Sequence, residues 1–199
     1  VCSSDLNYIL KKGILLSKTE QINSFENYYK FYTIGQLIKR KGILDTIETY
    51  CDSFTSSDKT LLIIKTFNRN YSNEEVFKCL SQIREITFRY DHAPILFVNE
   101  QLSYDEIHTL HDISDCYIQL TKSEGFGLGI FDAFNKGKKV IVTGYGAHKY
   151  YLGENYDNYI NYKLENLKKD DEIFFQFRLD DTYQWAIPDK NHAKELFKK

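Results

Sequence analysis

No stretch of this 199-residue chain is apolar over the roughly 20 residues that cross a bilayer, and no signal-peptide pattern appears in it. Its four cysteines, Cys2, Cys51, Cys79 and Cys116, are scattered without a C-x-x-C pair. That spacing argues against a thiolate metal site or a disulfide framework and makes a reducing cytoplasm the simplest compartment. Basic excess is also missing, with 26 Lys and Arg against 28 Asp and Glu and a net charge of −2. Because the basic residues are dispersed, nucleic acid is not expected as a partner. There is no G-x-x-x-x-G-K-S/T loop and no nucleophile elbow. No D-x-D lies between apolar strands, since Asp170-Asp171 and Asp180-Asp181 sit in polar stretches. His108 and His111 lie three apart on one predicted helix, but no third ligand is suitably spaced, so no metal is assigned.

What is present fits one well-cored domain, with 42% hydrophobic residues. Strand and helix patterns alternate. Phe31 to Gly35 reads as a strand, and Leu44 to Phe54 has helical spacing. Thr60 to Thr66 is a continuous apolar strand of the kind buried on both faces. Asn73 to Phe88 follows as a helix capped by Ser72, then strand Pro94 to Val98, then helix Tyr104 to Ile113 capped by Ser103. This rhythm predicts an α/β fold with a doubly wound, mostly parallel sheet. Ligands of such sheets gather beyond the carboxyl ends of the strands, here Gly35 to Lys41, Val98 to Glu100 and Thr121 to Gly127. Lys163 to Glu172 is polar and reads as an excursion.

The most informative stretch runs from Asp115 to Tyr151. Cys116 to Leu120 is β-prone, Glu124 follows, and Gly125-Phe126-Gly127 bring backbone N–H groups together. Leu128 to Phe134 is spaced as a packed helix that Gly137 ends, and Lys139 to Thr143 is the next strand. A glycine loop feeding a helix N-terminus favours an anion, because unsatisfied N–H groups and the dipole converge there. Read alone, Glu124 is a carboxylate favoured by that dipole, and Asp132 a helix-surface carboxylate. Lys39-Arg40-Lys41 read alone is a solvated basic loop, but its place just after a strand ending in Gly35 favours phosphate.

These residues resemble the donor-binding signature of retaining GT-B glycosyltransferases, the group 1 or family 4-like enzymes. Ser123-Glu124-Gly125-Phe126-Gly127-Leu128 match the heart of the E-G-F-G-L-P-x-x-E-A pattern, with Asp132-Ala133 in place of Glu-Ala. Gly137 and Val140-Ile141 complete it. Phe31 to Ile43 is similar to the family's first strand and basic loop, V-G-R-x-x-x-x-K-G. There Lys41 and Gly42 match, while Gln36 stands where Arg is usual, so half of the cationic clamp is missing unless Arg40 reaches in. Trp185-Ala186-Ile187-Pro188-Asp189 is similar to the segment before the family's last helices.

The resemblance implies a Rossmann-like half of a GT-B fold over residues 30–199, binding a nucleotide diphosphate sugar as donor substrate without a cofactor. Residues 1–29 are then the remnant of an acceptor domain and its linker, and Val1 to Leu6 match a translated adapter end. Lys41 would serve the diphosphate and Glu124 the donor sugar as catalytic groups. Gly35, Gln36, Arg40, Gly125, Phe126, Gly127 and Leu128 would line the donor site. Asn99 and Glu100 would meet the base, and Asp132 the ribose. Asp is one methylene shorter than Glu, about 1.5 Å of reach.

The Gly144-Tyr145-Gly146 loop resembles the one facing the acceptor, and reads equally as a turn. The acceptor would be a glycan, lipid or protein. The location would be cytoplasmic, with the inner face of a membrane reached through the missing domain. Two other readings stay open, a sugar-nucleotide epimerase of the same architecture and a degenerate interaction module that would fit the Gln36 and Asp132 departures.

Overall fold

The computed structural model describes residues 14–16, 25–66, 73–99, 101–168 and 182–199. Seven strands form one sheet, in chain order β1 (Ile14–Leu16), β2 (Tyr29–Ile34), β3 (Thr60–Lys65), β4 (Ile95–Val98), β5 (Cys116–Gln119), β6 (Lys139–Thr143) and β7 (Tyr159–Ile160). Their spatial order is β1-β4-β3-β2-β5-β6-β7, and every neighbouring pair is parallel. The edge strand β1 lies within the segment read as remnant and linker, and it pairs with β4 as Ile14 to Ile95 and Leu16 to Phe97.

Six helices are described, α1 (Ile43–Ser53), α2 (Asn73–Thr87), α3 (Tyr104–Ile113), α4 (Leu128–Asn135), α5 (Lys149–Leu152) and α6 (Lys190–Phe197). The expected strands and helices agree with these to within about two residues at each end, the range over which element ends fray. Ser103 caps α3 as expected, its hydroxyl accepting from Glu106 N while the Glu106 carboxylate accepts from Ser103 N. The proposed cap of α2, Ser72, lies outside the described residues.

Strand side chains alternate between two cores, as the period of two requires. Leu62 and Ile64 of β3 join Phe31, Ile47, Tyr50, Ile118 and Leu196 on the face carrying α1 and α6. Leu61 and Ile63 join Tyr32, Leu110, Tyr117, Ile130 and Val142 on the face of α3 and α4. Both faces are therefore covered, which is why the strands read as unbroken apolar runs.

Tyr162 to Asn166 departs from the expected polar excursion. It forms β8 (Tyr162–Asn166), paired antiparallel with β9 (Gln184–Pro188), so that Tyr162 faces Pro188 and Asn166 faces Gln184. Every β8 residue is exposed, and its short Tyr162-Lys163-Leu164-Glu165 alternation lies within a polar stretch, which makes a weak strand signal in the sequence. Beyond β9, Asp189 caps α6 by accepting from Asn191 N and His192 N. Lys190 then bridges Asp45 at 2.8 Å and Glu48 at 2.6 Å on α1, returning the C-terminus to the first core.

One buried polar pair sits inside the second core. The Tyr32 hydroxyl lies 2.6 Å from His111 Nδ1. Burial drives the phenol pKa up and holds the His111 imidazole down to about 4, with Asp132 acting against the second shift. The pair is therefore a hydrogen bond between a protonated phenol and a neutral imidazole.

The unfolded His111 titrates near 6.5, so the unfolded chain binds the extra proton between about 6.5 and about 4. Stability must then rise with pH through that window and fall on acidification, by on the order of 2 kcal/mol. A His111→Gln variant is expected to give a flatter profile of urea stability against pH there. A profile parallel to that of the parent would refute the assignment.

Candidate active site

The chain runs from β2 to β3 and β4 on one side, then returns to β5 beside β2 and builds outward on the other. That reversal opens a crevice at the carboxyl ends of β2 and β5, where parallel sheets bind ligands. Two loops meet there. The first follows β2 through Gly35 and a 3-10 turn, Lys39–Lys41, to Gly42, whose φ is +62°. The second follows β5 from Leu120 to the start of α4.

The loops are joined by their backbones. Lys122 N donates to Arg40 O at 2.8 Å, and the Thr121 hydroxyl donates to the same carbonyl at 3.1 Å. Thr46 links both loops, its hydroxyl donating to Gly42 O and accepting from Leu120 N. Gly42 packs so closely that a Cβ placed on it would stand 1.7 Å from Leu120 O. The positive φ and the contact both require glycine.

This junction brings together side chains far apart in sequence. Lys41 Nζ lies 2.5 Å from Glu124 Oε2, across 83 positions of chain. Their side chains are 19% and 7% exposed, so solvent does little to screen the pair. Arg40 does reach in, its Nη1 donating to Ser123 O at 2.8 Å and standing 4.0 Å from Glu124 Oε2. Gln36, where the cation of the sequence pattern is absent, is exposed.

Past Glu124 the chain turns through Gly125 and Phe126 to Gly127, whose φ of +75° starts α4. Among the described residues, no hydrogen bond is donated by the backbone N–H groups of Gly125 to Ile130. These are the unsatisfied donors that a helix start presents to an anion. Phe126 and Leu128 are exposed at this mouth.

A model of the family described as "Glycosyl transferases group 1" matches residues 17–163 of the chain. The chain belongs to the group 1 glycosyltransferases. No curated protein sequence matches this glycosyltransferase domain significantly. Solved structures do. The UDP-forming α,α-trehalose-phosphate synthase of Burkholderia xenovorans shares 10% identity at a TM-score of 0.56, over 67% of this chain and 33% of that one. The Burkholderia multivorans α,α-trehalose 6-phosphate synthase gives 10% and 0.56, over 75% and 36%. A structure from E. coli, trehalose-6-phosphate bound with UDP-2-fluoro glucose, gives 12% and 0.51, over 73% and 37%. At such identities the likeness is one of fold, the doubly wound parallel sheet. The glycosyltransferase domain spans about a third of the length of these structures.

The remaining predicted positions of the glycosyltransferase domain divide. Gly35 lies over the crevice, its ideal Cβ site 3.8 Å from Lys41 Cδ. Asn99 is half-buried just past β4, and Glu100 lies outside the described residues. Asp132 is half-buried on α4 and close enough to raise the pKa of Tyr32 and Tyr151, though burial is the larger cause in both. His111 Nδ1 is engaged by Tyr32, and its ring centre stands 6.3 Å from that of His108.

Sequence reasoning missed two features of the glycosyltransferase domain. At Gly129, where the family pattern carries Pro, an added Cβ would meet the buried Tyr117 hydroxyl at 2.8 Å. Gly146 presses against the second loop, its Cβ site 2.8 Å from Glu124 O. The Gly144 to Gly146 segment is thus part of the site's wall. Neither contact has a local signal, because each partner lies far along the chain.

Proposed function

We propose that this glycosyltransferase domain holds a nucleoside diphosphate sugar in the β2–β5 crevice and serves transfer of its glycosyl group to a glycan, lipid or protein acceptor. The Lys41–Glu124 pair carries this reading, because it sets a cation and an acceptor side by side beneath unsatisfied N–H groups. In transfer, the bond from the anomeric carbon to the β-phosphate oxygen breaks and a bond to an acceptor oxygen forms. Negative charge grows on the leaving diphosphate, so preorganised donors aimed at it lower the barrier most. Lys41, Arg40 and the N–H groups from Gly125 to Leu128 supply those donors. Glu124, released as Lys41 turns to phosphate, accepts hydroxyl protons of the sugar. Asp132 takes the ribose and Asn99 the base.

Retention of configuration and metal independence are what the family resemblance implies for the complete enzyme. The bound UDP-2-fluoro glucose of the E. coli structure supports a uridine donor among the alternatives. Family membership favours transfer over epimerisation or a purely structural module. Among the described residues no helix is long and apolar enough to cross a membrane. We place the protein in the cytoplasm, reaching the inner face of a membrane through its acceptor side.

Calorimetric titration of the chain with UDP, GDP and ADP tests the donor site. Saturable binding of one nucleotide is expected, and its loss in a Lys41→Ala, Glu124→Ala double variant. Equal heats from the double variant and the parent would remove the assignment.

A further inference from the structure

The N–H groups of a glycine loop help an anion only if their peptide planes are held with the hydrogens facing it. Tyr151, on α5 just after the Gly144–Gly146 segment, does that holding. Its hydroxyl is 2.8 Å from Phe126 O and 3.2 Å from Gly127 O. Its ring packs at centroid distances of 5.4 Å from Phe126 and 5.2 Å from Phe131, so the oxygen is aimed by an aromatic cluster.

In a trans peptide the C=O and the following N–H point in opposite directions. Fixing Phe126 O on Tyr151 therefore turns the Gly127 N–H away from Tyr151. Gly127 O is fixed a second time, accepting from Phe131 N at 2.9 Å. That sends the Leu128 N–H outward from the start of α4.

Gly127 permits this arrangement because its φ is positive and its Cβ site is crowded from three sides. Ile130 Cδ1 stands there at 3.0 Å, Glu124 Cγ at 3.2 Å and the Tyr151 hydroxyl at 3.3 Å. Burial raises the Tyr151 phenol pKa, with Glu124 adding to the shift, so the group stays a donor.

We propose that Tyr151 is a positioning residue for the diphosphate, its hydroxyl locking the Phe126–Gly127 and Gly127–Leu128 peptides with their N–H groups turned to the phosphate oxygens. This rests on the donor-site reading above and adds to it a residue that touches neither sugar nor phosphate. A loop free to flip these peptides would present carbonyl oxygens to the anion in part of its population, and affinity falls with the competent fraction.

Tyr151→Phe removes the hydroxyl and keeps the ring in its cluster. The test is an amide NMR titration of the chain and this variant with UDP, GDP, ADP and inorganic pyrophosphate, alongside the matching nucleoside. It reads binding into the millimolar range. In the parent, the Gly127 and Leu128 resonances are expected to shift with the diphosphate and with pyrophosphate. The variant should need about tenfold more of either, as the loss of one orienting hydrogen bond implies. Its response to the nucleoside and its thermal midpoint should stay near those of the parent.

A variant that titrates as the parent does overturns the role of Tyr151 and leaves the donor site standing. Equal losses for nucleoside and pyrophosphate overturn it too, because they mark a general structural defect. A parent that responds to none of the diphosphates or to pyrophosphate overturns the donor site itself, and the positioning role with it.

Discussion

Gly42→Ala is expected to cost about 4 kcal/mol or more, enough to unfold a domain of ordinary marginal stability. Two effects add. An L side chain at a φ of +62° is strained by about 1 kcal/mol. The larger effect is steric, since the new methyl would stand 1.7 Å from Leu120 O, a backbone atom with no rotamer to change. Relief requires parting the loops that follow β2 and β5, which breaks the Thr46 bridge and the Lys122 to Arg40 bond.

Gly137→Ala is the internal control. Its φ is +69°, yet nothing stands within 4 Å of its Cβ site, so only the conformational strain applies. Urea unfolding of the two variants should therefore differ by about 3 kcal/mol. Similar midpoints would show that the loops do not cross as closely as described.

Lys41→Ala and Glu124→Gln are expected to move nucleoside diphosphate affinity in opposite directions. Without ligand, Lys41 is engaged by Glu124 at 2.5 Å, so an incoming diphosphate must compete for the ammonium group. Removing the lysine deletes a partly buried charge partner, a loss of about 2–3 kcal/mol or roughly fiftyfold in affinity. Neutralising Glu124 frees the lysine instead, and binding of the bare diphosphate should tighten by about fivefold to tenfold. The same variant should lose the added affinity that the sugar gives an intact donor, because the amide is a poorer acceptor. Calorimetry with the diphosphate and its sugar conjugate on both variants reads all of this. If both substitutions weaken the bare diphosphate alike, the exchange of partners by Lys41 is wrong.

Much of this architecture was legible in the chain itself, for reasons that can be named residue by residue. Leu61 to Ile64 are apolar without a break because both sheet faces are covered, and that marked β3 as an inner parallel strand. Ser103 announced the start of α3 by local chemistry alone. Glu124 and the glycine turn after it lie within one continuous motif, so the resemblance to group 1 glycosyltransferases could place them. By contrast β8 was not legible, since its apolar residues, Tyr162 and Leu164, are only two in a polar stretch and its pairing with β9 is non-local.

The sequence by itself thus determined the alternation of strands and helices, the two-sided burial of the sheet and the residue types of the loops that follow β2 and β5. Those follow from backbone propensity and hydrophobic period, which act over a few neighbours. Only the tertiary structure decided that Lys41 meets Glu124, that Gly42 lies against Leu120, and that Tyr151 secures the Phe126 and Gly127 carbonyls. The first two pairs are set by β5 returning beside β2, and the third by the packing of α5 against the start of α4. Contacts between segments so far apart arise from sheet order and close packing, which no local pattern encodes.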